Sequence, residues 1–177
     1  DQNDWDSIIP NLVSGNYDTI IAGMSITDER DEVIDFTQDY LPPDPSSYIT
    51  LSSGNKAAYI GVVAAQTATI QASHVAASGA ILVEFSTPDE TISALRNGEV
   101  DAVMADKAFL KPIVAESNNE IKFIAKDVYI GGGVGMGIRE SDTSLKDTFN
   151  AAIDSMKADG SLNALIDKWE GISEGRY

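Results

Sequence analysis

The chain has 177 residues, of which 43% are hydrophobic and 23% are charged, a composition typical of a globular protein with a buried core. Acidic residues outnumber basic ones by 28 to 12, and the net charge of −16 argues against a nucleic-acid partner, because phosphate backbones bind basic surfaces. The chain has no cysteine, which excludes disulfides and thiolate metal sites.

Helix and strand signals alternate in the first part of the chain. Apolar residues at helical spacing predict a helix over 5–13, and Gly15 ends it. The run 18–23 predicts a short buried strand, and Thr27 begins a short helix with acidic residues in its first turn. The proline-rich segment 41–47 predicts a linker, because proline cannot continue a helix.

A second series of strands and helices follows this linker. The predicted strands are 48–51, 59–65, 81–85, 100–105 and 121–125. The predicted helices are 67–77, 88–96, 106–116, and two at the end of the chain with apolar faces over 145–156 and 162–169. No apolar run approaches the roughly 18 residues that a membrane span needs. The alternation predicts an α/β protein.

One internal similarity relates two distant segments. Residues 12–23 match residues 95–106 with a constant offset of 83 positions, and each copy predicts a helix, a glycine stop and a buried strand. The match has two open explanations, a common helix-to-strand connection or two lobes of similar build. In the second case Gly23 and Asp106 occupy equivalent places at the carboxyl ends of strands, where open α/β sheets bind ligands.

Several catalytic and metal-binding motifs are incomplete in this sequence. The glycine-rich segment 131–137 lacks both the Gly-Lys-Ser/Thr ending of a phosphate loop and the spacing of a dinucleotide loop. Segment 23–27 resembles a nucleophile elbow without its final glycine, and His74 is the only histidine. We therefore predict no catalytic residue, no metal site and no cofactor.

A polar segment suited to an anion follows the first predicted strand. Residues 23–30 combine the end of a strand, hydroxyl groups, a helix start and Arg30, one of four arginines. Backbone N–H groups and a planar guanidinium can together hold a carboxylate. The alternative is a capped helix with a surface arginine paired to Glu29 or Asp31, and the residues by themselves favour that second interpretation.

A set of ordered motifs adds context to that segment. They are WDSIIP (5–10), SITDER (25–30), IDFT (34–37), IGVVAAQT (60–67), GEVDAVMAD (98–106), GVGMGIR (133–139) and MKADG (156–160). Together they resemble the amino-acid-binding type 2 periplasmic solute-binding proteins of ABC importers. The resemblance implies a two-lobed type 2 periplasmic-binding-protein-like α/β fold that closes on a small ligand like a hinge. Lobe one would comprise 1–47 and 131–177, and lobe two 48–130.

The resemblance also implies roles for individual residues. By position, Arg30 would bind the α-carboxylate of the ligand, helped by Thr67 at the start of a lobe-two helix. Asp106 would pair with the α-ammonium, and Ser25 and the Gly23 carbonyl would complete its hydrogen bonds. An amino-acid backbone loses its water on binding, so each of its charges needs an opposite partner.

Further pocket residues follow from the same resemblance. Trp5 would pack over the ligand side chain, or it serves as an ordinary core tryptophan at a helix start. The remaining candidates are Met24, Val63 and Gln66. The preference for one amino acid stays open, although the acidity fits a cationic or polar ligand.

The sequence also departs from the family pattern. The family's first strand and helix normally precede the equivalent of Trp5, so the resemblance implies an N-terminally truncated member whose lobe one is incomplete. Such a lobe exposes sheet edges, which favours self-association. The segment 52–58 is shorter than usual, and Ala65 replaces a common glycine.

The expected function is the capture of a free amino acid in the periplasm, or outside the cytoplasm generally, for delivery to the membrane subunits of an ABC permease. The first four residues do not form a signal peptide, so a preceding one would have been removed. The alternatives are a ligand-binding sensor domain, an enzyme resembling cyclohexadienyl dehydratases, and a reduced interaction module that binds no ligand.

Overall fold

The computed structural model describes residues 3–169 and 177. The strands are β1 (Thr19–Ile20), β2 (Asp35–Phe36), β3 (Ser46–Leu51), β4 (Val62–Gln66), β5 (Ile81–Phe85), β6 (Ala102–Asp106), β7 (Ile121–Val128) and β8 (Gly137–Ile138). The α-helices are α1 (Ile8–Val13), α2 (Asp28–Asp31), α3 (Ile70–Ser78), α4 (Pro88–Asn97), α5 (Lys107–Glu116), α6 (Thr143–Ala158) and α7 (Ser161–Trp169). Short 3₁₀ helices cover Trp5–Ser7 and Ala58–Ile60. The predicted α/β class is confirmed.

The contacts within the chain define two units. The five-stranded unit contains the described residues up to Asp6 together with Asp44–Ile130, and the three-stranded unit contains Ser7–Pro43 and the chain from Gly131 onward. The predicted lobe one covered 1–47 and 131–177, and the predicted lobe two covered 48–130. Residues 3–6 and 44–47, which were predicted for lobe one, belong to the five-stranded unit together with 48–130. The reasons are that Trp5 bonds to Ala68 and that β3 already begins at Ser46.

The sheet of the five-stranded unit has the strand order β5-β4-β6-β3-β7. Strand β4 runs parallel to β5 and β6, and β3 runs antiparallel to β6 and β7. Adjacent residues of one strand point to opposite faces of a sheet. On one face, Ile49 and Val103 therefore pack with Leu95 of α4 and Leu110 of α5. On the other face, Tyr48 and Met104 are buried.

Local sequence signals explain most helix boundaries in this unit. Helix α4 begins at a capping box in which Thr87 and Glu90 bond each other's backbone N–H groups. Several predicted boundaries were wrong: besides β3, which begins at Ser46, strand β6 begins only at Ala102 and β7 continues to Val128. The predicted strand 59–65 begins only at Val62, because Ala58–Ile60 form a 3₁₀ helix. The predicted helix 67–77 begins only at Ile70, because Thr69 is its cap.

The sheet of the three-stranded unit is small. Strand β8 lies between β1 and β2 and pairs antiparallel with both, and each strand has two residues. The predicted strand 18–23 is thus regular only over Thr19–Ile20. Helices α6 and α7 pack through the buried residues Ile153, Leu162 and Ile166.

The internal similarity corresponds to a repeated local structure. Gly15 and Gly98 both adopt positive φ, +80° and +73°, after a helix that buries a leucine, and each precedes a strand. A left-handed conformation at this position favours glycine. The resemblance does not extend to the sheets, since β6 has a parallel neighbour and β1 pairs only antiparallel. Over the described residues, no helix combines the length and apolarity that crossing a membrane requires.

Candidate functional site

The candidate residues are divided between the two units. The three-stranded unit carries Gly23, Met24, Ser25 and Arg30, and the five-stranded unit carries Trp5, Val63, Gln66, Thr67 and Asp106. Each group is described within its own unit. In the described part of the chain, no three His, Asp or Glu side chains are grouped so that they could hold a metal ion.

Arg30 lies in the single turn of α2 and is half-buried. The backbone N–H of Arg30 donates to the Thr27 hydroxyl, which caps the helix at 3.2 Å. The guanidinium Nη1 donates to the Ser25 carbonyl at 2.9 Å, which fixes the direction of the planar group. The expected helix cap is therefore present, and the arginine side chain folds back over the segment that precedes it.

The segment before Arg30 is held by the glycine-rich stretch that follows Ile130. The Ile26 N–H donates to the Gly133 carbonyl at 2.9 Å, and the Gly132 N–H donates to the Ile26 carbonyl at 2.8 Å. Gly23 is exposed, whereas Met24 is only 1% exposed. The Met24 side chain therefore belongs to the core of its unit.

Asp106 is the last residue of β6 and is exposed at the start of α5. Its Oδ1 accepts a hydrogen bond of 2.7 Å from Nε2 of Gln71. The same Gln71 nitrogen donates to the Ser46 hydroxyl at 2.9 Å, and Ser46 is the partner of Asp106 in the β3–β6 ladder. The carboxylate is thus bonded to α3 at one end of the β3–β6 ladder.

Thr67 does not begin the helix that the sequence predicts for it. It lies in a turn, and its N–H donates to the Phe85 carbonyl at 2.9 Å. Thr69 occupies the cap position instead: its hydroxyl accepts from the Ala72 N–H and donates to the Gln66 carbonyl. Thr67 and Thr69 are equally good cap residues by type, so the sequence alone did not distinguish them.

Trp5 is half-buried and contacts the turn that precedes α3. Its indole Nε1 donates to the Ala68 carbonyl at 3.2 Å, and Ala68 has a positive φ of 59°. Gln66 lies two residues before Ala68, and its side chain is held by a hydrogen bond of 3.0 Å from Nε2 to the Ser86 carbonyl. Val63 is fully buried in the core. The start of α3 is thus bonded to Trp5 through Ala68 and to Asp106 through Gln71.

A second charged group stands beside Asp106. The Lys107 ammonium donates a hydrogen bond that holds the pKa of the Asp127 carboxyl below its usual range, and the Ser47 hydroxyl adds to this effect. Lys107 is thereby paired with Asp127 on β7. The arrangement links the start of α5 to the edge strand of the sheet.

This ion pair predicts an acid-dependent loss of stability. The pKa of Asp127 is lower in the folded chain than in the unfolded chain. Its contribution is therefore present above the unfolded value of about 4 and is lost as the pH falls through the folded value. We expect the difference in unfolding free energy between wild type and Asp127→Asn to shrink as the pH falls from 6 to 3.

Urea unfolding at a series of pH values measures this difference. Asp147→Asn is the matched control, because it removes the same charge from an exposed position on α6. A difference between wild type and Asp127→Asn that stayed constant down to pH 3 would contradict the role given to Lys107.

Comparisons with known proteins agree with this architecture. The chain matches the family model of bacterial extracellular solute-binding proteins, family 3, over residues 1–172. It is 30% identical to the L-arginine-binding protein of Pseudomonas aeruginosa, and the match covers 95% of this chain and 70% of that protein. Identity to the histidine-binding periplasmic protein of Salmonella typhimurium is also 30%, with the same coverage.

A solved structure shares more sequence with the chain. It is a periplasmic His/Glu/Gln/Arg/opine family-binding protein from Silicibacter pomeroyi in complex with lysine. The sequences are 65% identical, the TM-score is 0.95, and the match covers 100% of this chain and 80% of that one. A structural match of this quality to a periplasmic binding protein confirms the predicted type 2 fold.

Proposed function

The chain belongs to family 3 of the bacterial extracellular solute-binding proteins, and on that basis we propose how it works: it binds a free amino acid outside the cytoplasm and delivers it to an ABC permease. Relatives named for arginine and histidine binding support the ligand class. The family and its structural neighbours are binding proteins, and the proposed task needs no covalent step.

The proposed ligand is a cationic amino acid, with lysine as the first candidate. The observation that carries this proposal is the 65% identity to a protein whose structure contains lysine. The charge of the chain supports it, because a net charge of −16 attracts cations and repels anions.

The proposed contacts use opposite charges for the two ends of the ligand backbone. Arg30 binds the α-carboxylate, and Asp106 binds the α-ammonium, while Ser25 and the Gly23 carbonyl contribute hydrogen bonds. The proposed helper of Arg30 shifts from Thr67 to the start of α3 at Thr69, since the Thr67 N–H already donates to Phe85. Of the two charged residues in this proposal, Arg30 belongs to the three-stranded unit and Asp106 to the five-stranded unit.

The remaining proposed contacts concern the ligand side chain. Trp5 contributes its aromatic ring, since its indole N–H bonds to the Ala68 carbonyl next to the start of α3. Gln66 is the polar candidate of the same unit. Self-association and the partnership with permease subunits remain proposals that the size-exclusion profile and reconstituted transport would test.

Calorimetric titration of the purified protein tests the function. We expect lysine, arginine or histidine to bind at least about ten-fold more tightly than glutamate, because the net charge of −16 attracts cationic side chains and repels anionic ones. Glutamate is a matched control, since it has the same α-carboxylate and α-ammonium. Mass spectrometry of ligand released from the protein identifies the natural occupant. A protein that binds no amino acid of the panel would contradict the proposal and favour a non-binding interaction module.

A further inference from the structure

Gln71 is a buried polar side chain whose position in the sequence gives no hint of a role. It lies in the first turn of α3 and is only 5% exposed. Its Nε2 donates to two oxygens, the Ser46 hydroxyl at 2.9 Å and Asp106 Oδ1 at 2.7 Å. An amide nitrogen has two N–H groups, so each N–H has a partner.

These two bonds tie one side chain to three elements. Ser46 begins β3, Asp106 ends β6, and the two residues are paired across the ladder. Gln71 bridges this end of the ladder from α3. A buried amide without partners costs free energy, so the three elements hold one another in this arrangement.

The chemistry of the contact preserves the charge of Asp106. A glutamine amide is neutral, so it orients the carboxylate without neutralising it. Asp106 is exposed, and an exposed aspartate otherwise exchanges between rotamers. A neutral donor of this kind orients the carboxylate and adds no positive charge that would compete with a cationic ligand group.

We propose that Gln71 is a positioning residue for ligand recognition: it holds the Asp106 carboxylate in the orientation that receives the α-ammonium, without contacting the ligand. This inference rests on the proposed function, in which Asp106 binds that ammonium. It assigns to α3 a role in fixing the ammonium site through a side chain of its first turn.

The substitution Gln71→Met tests the inference, because methionine fills a similar volume and donates no hydrogen bond. We expect lysine to bind about ten-fold or more weakly to this variant, since hydrogen bonds to charged groups are the stronger ones. Gln38→Met is the matched control. The Gln38 Nε2 also donates to two oxygens, those of Asn150 and Asp154, in the other unit. We expect its lysine affinity to stay within about two-fold of wild type.

A double-mutant cycle separates positioning from a general structural role. In Asp106→Glu the charge remains but the carboxylate moves along a longer side chain. If Gln71 acts through Asp106, adding Gln71→Met to this background weakens lysine binding by less than about two-fold. The same loss in both backgrounds would overturn the inference. If Gln71→Met does not fold, Gln71→Asn replaces it, since that amide is one methylene shorter.

Two further outcomes distinguish this inference from the proposed function. Wild-type protein that binds lysine, with Gln71→Met binding equally well, would overturn the positioning role and leave the function intact. Wild-type protein that binds no amino acid would overturn both.

Discussion

Arg30→Ala should reduce amino-acid binding by at least about 100-fold, because a desolvated carboxylate would lose its opposite charge. Among the proposed contact residues, Arg30 provides the positive charge. The helix should survive the substitution, since the Thr27 cap accepts from the backbone N–H of residue 30 and not from its side chain. The variant should therefore melt close to wild type while losing its ligand.

A graded series sharpens this prediction. Arg30→Lys keeps the charge but cannot form two parallel bonds to a carboxylate, so we expect an affinity between those of wild type and Arg30→Ala. Arg96→Ala is the matched control, because Arg96 is a helical arginine whose half-exposed side chain pairs with Glu120 at 3.5 Å. Calorimetry with lysine measures all three variants. Unchanged affinity in Arg30→Ala would remove Arg30 from the site.

The reliable sequence predictions were those in which local and global signals agree. Strand β5 has its predicted bounds of 81–85, and α4 begins at Pro88 as predicted. Pro88 fits the first turn of a helix, and Thr87 with Glu90 forms a capping box, so the start of α4 is fixed locally. The roles of Arg30 and Asp106 stay predictions, because they depend on the resemblance to a family.

The errors arose where distant contacts decide the local structure. Residues 41–47 contain three prolines and predict a linker, yet Ser46 and Ser47 already belong to β3, because β6 and Asp127 lie beside them. Because Ser46 was predicted to lie in a linker, the sequence did not show it as a hydrogen-bond partner of Gln71. Gln71 itself looks like an ordinary helix residue, since glutamine is usually exposed. Gln71 becomes a candidate positioning residue only in the folded chain, where the first turn of α3 lies beside Ser46 of β3 and Asp106 of β6.

In the glycine-rich segment, the space available for a side chain differs from one glycine to the next, and the sequence does not show this difference. Seven positions, 131–137, contain five glycines, and we expect two neighbours among them to differ sharply in tolerance. A Cβ at Gly133 would lie 2.5 Å from both Asp39 Oδ2 and the Leu41 carbonyl oxygen. A Cβ at Gly132 would lie 3.5 Å from the Ile26 carbonyl oxygen, which is ordinary contact.

Gly133→Ala should therefore destabilise the three-stranded unit by about 1–3 kcal/mol, the usual cost of overpacking, whereas Gly132→Ala should change its stability by less than about 1 kcal/mol. The surroundings of Gly133 cannot move aside easily. The Leu41 carbonyl accepts the Val134 N–H at 2.9 Å, and the Ile26 N–H donates to the Gly133 carbonyl. Asp39 is held by the ammonium of Lys157 at 3.4 Å.

Amide hydrogen exchange measures this effect within one unit, which matters because a chain of two units need not unfold in one step. Protection should fall in β2, β8 and α6 of Gly133→Ala and remain near wild type in the five-stranded unit. Equal protection in both glycine variants would contradict the close approach at Gly133. Loss of protection throughout Gly133→Ala would instead mean that the two units unfold together, so that the packing of residues 131–137 against segment 39–41 stabilises the entire chain.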